Sequence, residues 1–289
     1  MSTQEGTLSI GELAAACGLP QATIRTWERR YGFPEAVRAA SGRRRYPPTA
    51  VEQVRRVLAM REQGLALEAA IARVRATGQR AAAETPHEAL VRAGRGLTPL
   101  TCRKRTMVAL SRAIEDECAL RMRGGVLFGL FQRRSFFVAS RARWHDLAGV
   151  VDACVVFADF ARPHANRLLE VPLPETEPAS REWVIVAVSP PFSLAFCARE
   201  LAASPAAVAD HQRRFEALWT TQPQPVLAAA RSCLALVARA GVAERATRLE
   251  RWLDPDALDA VTEETVVAIA NRMVVYAAEG VSEQLVAGR

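Results

Sequence analysis

Between Thr23 and Tyr46 the chain places seven arginines within twenty-four residues, interleaved with Trp27, Tyr31, Phe33 and Tyr46. A guanidinium is permanently charged and presents its donors in a rigid fork that matches phosphate oxygens, so the chemistry on offer is recognition of a polyanion. Arg25 and Arg29 are four residues apart and, with Thr23, can reach base edges and phosphates from one face of a helix. Arg43, Arg44 and Arg45, flanked by Arg38 and Tyr46, suit the neutralisation of phosphates beside a groove. Trp27 has two readings: packing into its own domain or lying against sugar-phosphate.

The second half of the chain supplies different candidates. Ser111, Glu115, Glu117, Gln132 and Arg143 are polar residues in or beside apolar segments, which makes them candidates either for contact with a ligand or for charge exposed on a helix surface. Gln132 follows a short apolar run, and open α/β sheets bind ligands near strand carboxyl ends. Glu115 and Arg112, three apart on one helix, read as a surface pair worth about 0.2–0.5 kcal/mol. An enzyme could draw a general base from Glu115, Asp116 or Glu117 and a nucleophile from Ser111. Consecutive carboxylates on a helix diverge, however, and no His is placed to complete a triad. Trp144, Trp183 and Trp219 read as core.

Composition narrows the classes further. Of the net charge of +7, residues 1–80 contribute thirteen Arg against seven Glu, and the rest of the chain nearly cancels. A localised positive field of this kind attracts nucleic acid. The six cysteines are dispersed, with no CxxC and no Cys/His cluster, so neither a metal site nor a disulfide framework is expected, and most read as buried apolar side chains. No apolar run reaches about 18 residues, and the start MSTQEGTLS lacks the regions of a signal peptide, which predicts a cytoplasmic protein with no membrane partner.

The elements that must position these residues can be read from caps and periodicity. SIGELAAAC, from Ser9 to Cys17, pairs an N-cap Ser with Glu12 three residues on and predicts a short helix closed by Gly18. A second helix spans Gln21 to Tyr31, giving a helix-turn-helix. Val37 to Tyr46 reads as a hairpin turning at Ser41-Gly42, and Thr49 to Gln63 and Ala66 to Ala76 as two supporting helices. Beyond a polar connection, a long helix from Thr101 to Met122 precedes apolar runs at Val126–Phe131 and Cys154–Phe160. These are separated by a helix from Arg134 to Val150, the pattern of a parallel crossover. Strands follow at Leu168–Leu173, Trp183–Val188 and Phe192–Cys197. Helices then run to the end: Val226–Ala240, Ala243–Leu253 and Pro255–Glu279, the last capped by Asp254.

Residues 8–76 resemble the winged-helix domain of MerR-family transcriptional regulators. The likeness is carried by LSIGELAAACGLPQATIR, by WERRYGFPEAVR and by the wing SGRRRYPPTAVEQVRRV. It implies that Thr23 and Arg25 are recognition-helix contacts, and that Arg38, Arg44 and Tyr46 are wing contacts or supports. Arg43 stands where many members of that family carry Tyr. The family's members are dimers that distort a long promoter spacer so that RNA polymerase engages both promoter elements. They pair through a long helix directly after the DNA-binding part; Thr77-Gly78 interrupts that helix here and moves the expected dimer contact to the C-terminal helices. A cobalamin sensor of this branch would need an Asp-x-His-x-x-Gly motif, and none of the four histidines stands in one; no cofactor is expected.

From about residue 98 to residue 240 the chain is similar to the DICT domain, a sensory module of bacterial regulators. The matching segments are LSRAIEDE, GLFQ, RARWHDLA, VVFADF and RRFEALWTTQPQPVLAA. The architecture expected is therefore two domains, a mainly α winged helix-turn-helix followed by a mixed α/β sensory domain with a helical extension. Its boundaries are 1–78 for the DNA-binding domain, 79–97 for a linker, 98–240 for the sensory domain and 241–289 for the C-terminal helices. The function expected is a homodimeric regulator that binds double-stranded promoter DNA, acts on RNA polymerase indirectly and answers a small-molecule or protein signal. The competing classes are an enzyme built on the second domain and a non-specific architectural DNA binder. The sequence names neither the signal nor the operator, and it does not separate activation from repression.

Overall fold

The structure, a computed structural model, describes residues 7–38, 43–201 and 210–287. Packing divides them into two compact units, one running to Ala83 and including Ala243–Arg251, the other comprising Glu84–Val242 and the residues from Trp252 onward.

The first unit opens with α1 (Ile10–Cys17), whose N-cap Ser9 accepts from the Glu12 N–H while Glu12 accepts from the Ser9 N–H. Such reciprocal capping satisfies two otherwise orphaned donors and is worth about 1 kcal/mol. Gly18, at φ 64°, closes the helix in the left-handed region, where a side chain would be strained. α2 (Gln21–Tyr31) follows and ends at Gly32, φ 62°. β1 (Val37–Arg38) and β2 (Arg44–Arg45) pair antiparallel, Val37 with Arg45 and Arg38 with Arg44; the expected Ser41-Gly42 turn lies outside the described residues. An antiparallel bridge between Leu8 and Tyr46 ties the chain entering α1 to the base of the wing. α3 (Thr49–Glu62) and α4 (Leu67–Ala83) complete the support. Leu13, Ile24, Trp27, Phe33, Tyr46, Val54 and Ile71 form its core.

One expectation is overturned here. α4 continues through Thr77-Gly78 to Ala83 instead of stopping at Ala76. A glycine inside a helix costs about 1 kcal/mol relative to alanine, too little to end one whose following residues are mostly good helix formers.

The second unit begins with α5 (Pro86–Ala93), capped reciprocally by Thr85 and Glu88. Residues 79–97, expected to be a linker with a short connecting helix at Glu84–Arg95, hold the last turn of α4 and the whole of α5. β3 (Leu100–Arg103) then leads into α6 (Lys104–Arg121), so the first residues of the expected long helix are strand. β4 (Val126–Leu130), α7 (Arg134–Leu147) and β5 (Ala153–Ala158) form the crossover, with β4 and β5 parallel. β6 (His164–Ala165), β7 (Leu169–Pro172), β8 (Glu182–Ser189), β9 (Phe192–Glu200) and β10 (Arg214–Thr220) complete an eight-stranded sheet of order β3-β10-β9-β8-β4-β5-β7-β6. β3, β6 and β10 were not anticipated. α8 (Pro223–Arg239) follows, then α9 (Ala243–Leu249), which belongs to the first unit, and α10 (Glu263–Ala287), which packs on α6. The C-terminal helices are therefore not one block.

Alternation along the strands sorts the two faces of the sheet. Ile185, Ala187, Phe196 and Ala198 point to a core shared with α6, α7 and α10, through residues such as Met107, Ile114, Trp144 and Ile269. α5 and α8 cover β8 and β9 from the other face. The last helix does not start at Pro255 as expected. Asp254 caps only a single tight turn, Pro255–Ala257, and Thr262 makes the real start by accepting from the Thr265 N–H.

Candidate functional site

In the first unit the sequence of α2 sorts its two faces. Ile24 and Trp27 turn inward, while Gln21, Arg25 and Arg29, spaced by four, form an exposed row about 9–12 Å long at 1.5 Å per residue. Arg25 Nη2 donates weakly to Gln21 Oε1 at 3.4 Å, and Thr23 is half-buried. Arg43 and Arg44 are exposed on the wing, with Arg44 opposite Arg38 in the ladder. Arg45 points back toward Glu12 at 3.8 Å.

Two expected DNA contacts lie in the core. Trp27 is 4% exposed and packs near Phe33, with ring centroids 6.4 Å apart, because inward is where position 27 of this helix faces. Tyr46 is fully buried and acts as a wing support. Its hydroxyl donates to Glu28 Oε2 at 3.3 Å, while Arg44 Nε pairs with Glu28 Oε1 at 2.9 Å. Burial, followed by the Glu28 charge, raises the Tyr46 phenol above its ordinary range. Glu28 therefore clamps the wing to α2. Sequence reasoning passed over it, although a lone acid within a run of arginines was a visible signal. Arg75, donating from α4 to the Gly32 carbonyl at 2.7 Å, braces the end of the same helix and was likewise missed. A shallow cleft of about 360 Å³ between the end of α2 and the wing is lined by Glu28, Glu35 and Arg44, among others.

In the second unit Glu115 and Arg143 are brought together, but not as a surface pair with Arg112. Glu115 is buried, accepts from the Trp144 indole N–H at 2.9 Å and pairs with Arg143 Nε at 2.6 Å. Arg143 also reaches Asp116 and donates to the Arg112 carbonyl, and Asp116 accepts from the Tyr276 hydroxyl. Burial holds the Glu115 carboxyl above its ordinary range even against these partners. Trp144 in turn lies over Gly129, where a Cβ would meet the indole at 2.2 Å. Three separate sequence segments thus meet in one packing unit, which fixes α6 and α7 on the sheet. Glu117, also buried, receives Arg121 and Arg272 at 2.5 and 2.6 Å, anchoring α10. Ser111 is buried with its hydroxyl unpaired.

Gln132 lies elsewhere, at the carboxyl end of β4. Its φ is 60°, the one positive value at a non-glycine among the described residues. Its Oε1 accepts from Arg213 at 2.7 Å, and its Nε2 is buried without a partner. On the opposite side of the sheet, under α5, the buried carboxylate of Glu182 accepts from the His87 backbone N–H at 3.0 Å. Burial pushes Glu182 up to about 7 and holds His87 below its ordinary value. The cysteines Cys118, Cys154, Cys197 and Cys233 are buried, and burial raises their thiols far above reactivity. Among the described residues no group of three or more His, Cys, Asp or Glu could hold a metal, and no helix is long and apolar enough to cross a membrane.

This geometry defines a winged helix-turn-helix joined to an α/β unit. Comparison with known proteins gives each a family. Residues 8–77 match the model of the MerR HTH family regulatory protein, and residues 87–201 match DICT, the sensory domain in diguanylate cyclases and two-component systems. By these matches the chain carries a MerR-type HTH domain with a DICT domain behind it. It is also similar to the HTH-type transcriptional repressor CarA of Myxococcus xanthus, 45% identical over 71 residues, which is 24% of this chain and 25% of that protein.

Proposed function

We propose that the protein binds promoter DNA as a homodimer through the first unit, and that a signal received by the second unit changes that binding. The observation that carries this reading is the exposed row of Arg25 and Arg29 on α2 beside a wing bearing Arg43 and Arg44, all mounted on a packed core. In this arrangement α2 enters the major groove and reads bases, while the wing arginines contact flanking phosphates. Pairing doubles the phosphate contacts, and the uninterrupted α4 supplies a helix that can serve it, which removes the reason for seeking the dimer contact in α10. The similarity to a repressor favours repression at the operator, with RNA polymerase affected indirectly. The DNA-binding role favours the cytoplasm. Gln132 is the sensing contact that the geometry favours. Glu115 and Arg143 are committed to holding α6 and α7, and both Glu115 oxygens are engaged, which also argues against Glu115 as a general base.

The test is competition binding of the full chain to its own upstream DNA against scrambled duplex. The reading expects at least a thousandfold preference, of the order that separates specific from non-specific binders. Equal affinity for both duplexes, with a steep salt dependence, would make the protein an architectural binder instead.

A further inference from the structure

β4 is the strand at which the sense of the sheet changes, parallel to β5 on one side and antiparallel to β8 on the other. Beyond its carboxyl end the topology gathers residues from five strands. Arg133 and Arg134 follow β4, Asp159 follows β5, Arg181 precedes β8, Glu200 ends β9 and Arg213 precedes β10. Arg213 grips Glu200 through two bonds of 2.7 and 2.6 Å and also reaches Asp210, which pairs with Lys104. Hydrogen bonding to Arg213, then the charges of Arg213, Arg181 and Arg133, hold the Glu200 carboxyl below its ordinary range, so three guanidiniums crowd one carboxylate. Among the described residues named here, the five cations Lys104, Arg133, Arg134, Arg181 and Arg213 outnumber the three anions Asp159, Glu200 and Asp210.

Gln132 joins this group through its bond to Arg213. It is 7% exposed, its backbone is in the left-handed region, and its Nε2 hydrogens have no acceptor. A buried donor left unmade is destabilising, and strained backbone adds to that. Charge surplus, an unspent donor and a strained residue thus coincide at the position where open sheets take ligands.

We propose that this end of the sheet binds a small polyanion, a phosphate ester or a polycarboxylate, through Gln132 Nε2 and the guanidiniums of Arg133 and Arg181. The proposal rests on the reading of the second unit as a sensor and gives that sensor a ligand class. Gln132 Nε2 is covered, and the adjoining Arg133 and Arg134 are exposed. Lys104, 3.7 Å from the centre of the Phe136 ring, and Arg213, 5.8 Å from it, stay with their own carboxylates. They set the field and leave direct contact to the exposed arginines.

The experiment is calorimetric titration of the full chain, without DNA, with inorganic pyrophosphate and separately with citrate, each against sodium chloride of equal ionic strength. Saturable binding of pyrophosphate assigns the phosphate class, and saturable binding of citrate the polycarboxylate class. Arg133→Ala and Arg181→Ala, both at exposed positions, are each expected to weaken Kd about tenfold, the loss of one charge-assisted hydrogen bond. Gln132→Glu keeps an acceptor for Arg213 but replaces the donor with a second oxygen, and should abolish binding. No heat beyond the chloride control with either probe overturns the proposal, as does binding unchanged in all three variants. Operator affinity is then measured with and without the bound probe. A probe that binds but leaves operator affinity unchanged upholds the site while removing its role as the sensor.

Discussion

In the first unit the arginines of α2 stand in solvent, Arg25 with a long contact to Gln21, whereas in the α/β unit Glu115, Glu117 and Glu182 are buried and hydrogen-bonded. Exposed charge contributes little to folding and remains available for a partner. Buried charge is spent on fixing elements and is strongly destabilising once unpaired. The contrast separates residues that act on a partner from residues that hold the molecule in shape, and it reassigns Trp27, Tyr46, Glu115 and Arg143 to the second kind.

The largest effect that would break this division concerns Trp27. Trp27→Ala should lower stability by about 3–5 kcal/mol in urea unfolding, as for other buried aromatics, whereas Trp27→Phe should keep most of it together with DNA binding. A stable Trp27→Ala protein with lost DNA affinity would return the indole to the interface. Glu182 comes next. The folded protein holds its proton up to about pH 7, while an unfolded chain releases it near 4.5, so the native state binds more protons in that window and loses stability as pH rises through it. Glu182→Gln should therefore gain on the parent by up to about 3 kcal/mol between about pH 5 and about pH 8, measured by chemical unfolding at both. His87 acts with the opposite sign: its depressed value destabilises the native state as pH falls below 6.5, and this effect, present in both proteins, drops out of the difference to first order.

Smaller effects sharpen the other side of the comparison. Arg25→Ala should cost about 1–3 kcal/mol of operator affinity and relax sequence preference, with unfolding stability unchanged within about 0.5 kcal/mol. Arg44→Ala should weaken binding to all duplexes alike and reduce the salt slope by about one, seen by repeating the titration across salt concentrations. Its pair with Glu28, at 2.9 Å with Arg44 largely exposed, is worth under about 1 kcal/mol to folding.

What the sequence made legible was local. Ser9 with Glu12, Gly18, Gly32 and the spacing of α2 are signals confined to a few residues, and each element they predict is present. What it hid depended on distance or on competition. Arg143 lies far along the chain from Glu115, so the true partner could not be read from helical spacing, whereas the false one, Arg112, could. β10 alternates inward Phe215 and Ala217 with Arg214 and Glu216, and those charges masked a strand that gains its place by pairing with β9 and β3. The start of α10 was obscured by Asp254-Pro255, a stronger textual signal than Thr262 but one that caps only a single turn. At the carboxyl end of β4, Gln132 was visible as the end of an apolar run. Arg213, Arg181 and Glu200 were not, since only the strand order brings them together.

The contact of Trp144 with Gly129 gives the molecule a built-in reporter. An indole that is bonded to a carboxylate and pressed onto bare backbone emits according to that environment. Any sliding of α7 along the sheet would alter the bond and the contact together. Movement inside the sensory domain could thus be followed by intrinsic fluorescence, with no label attached.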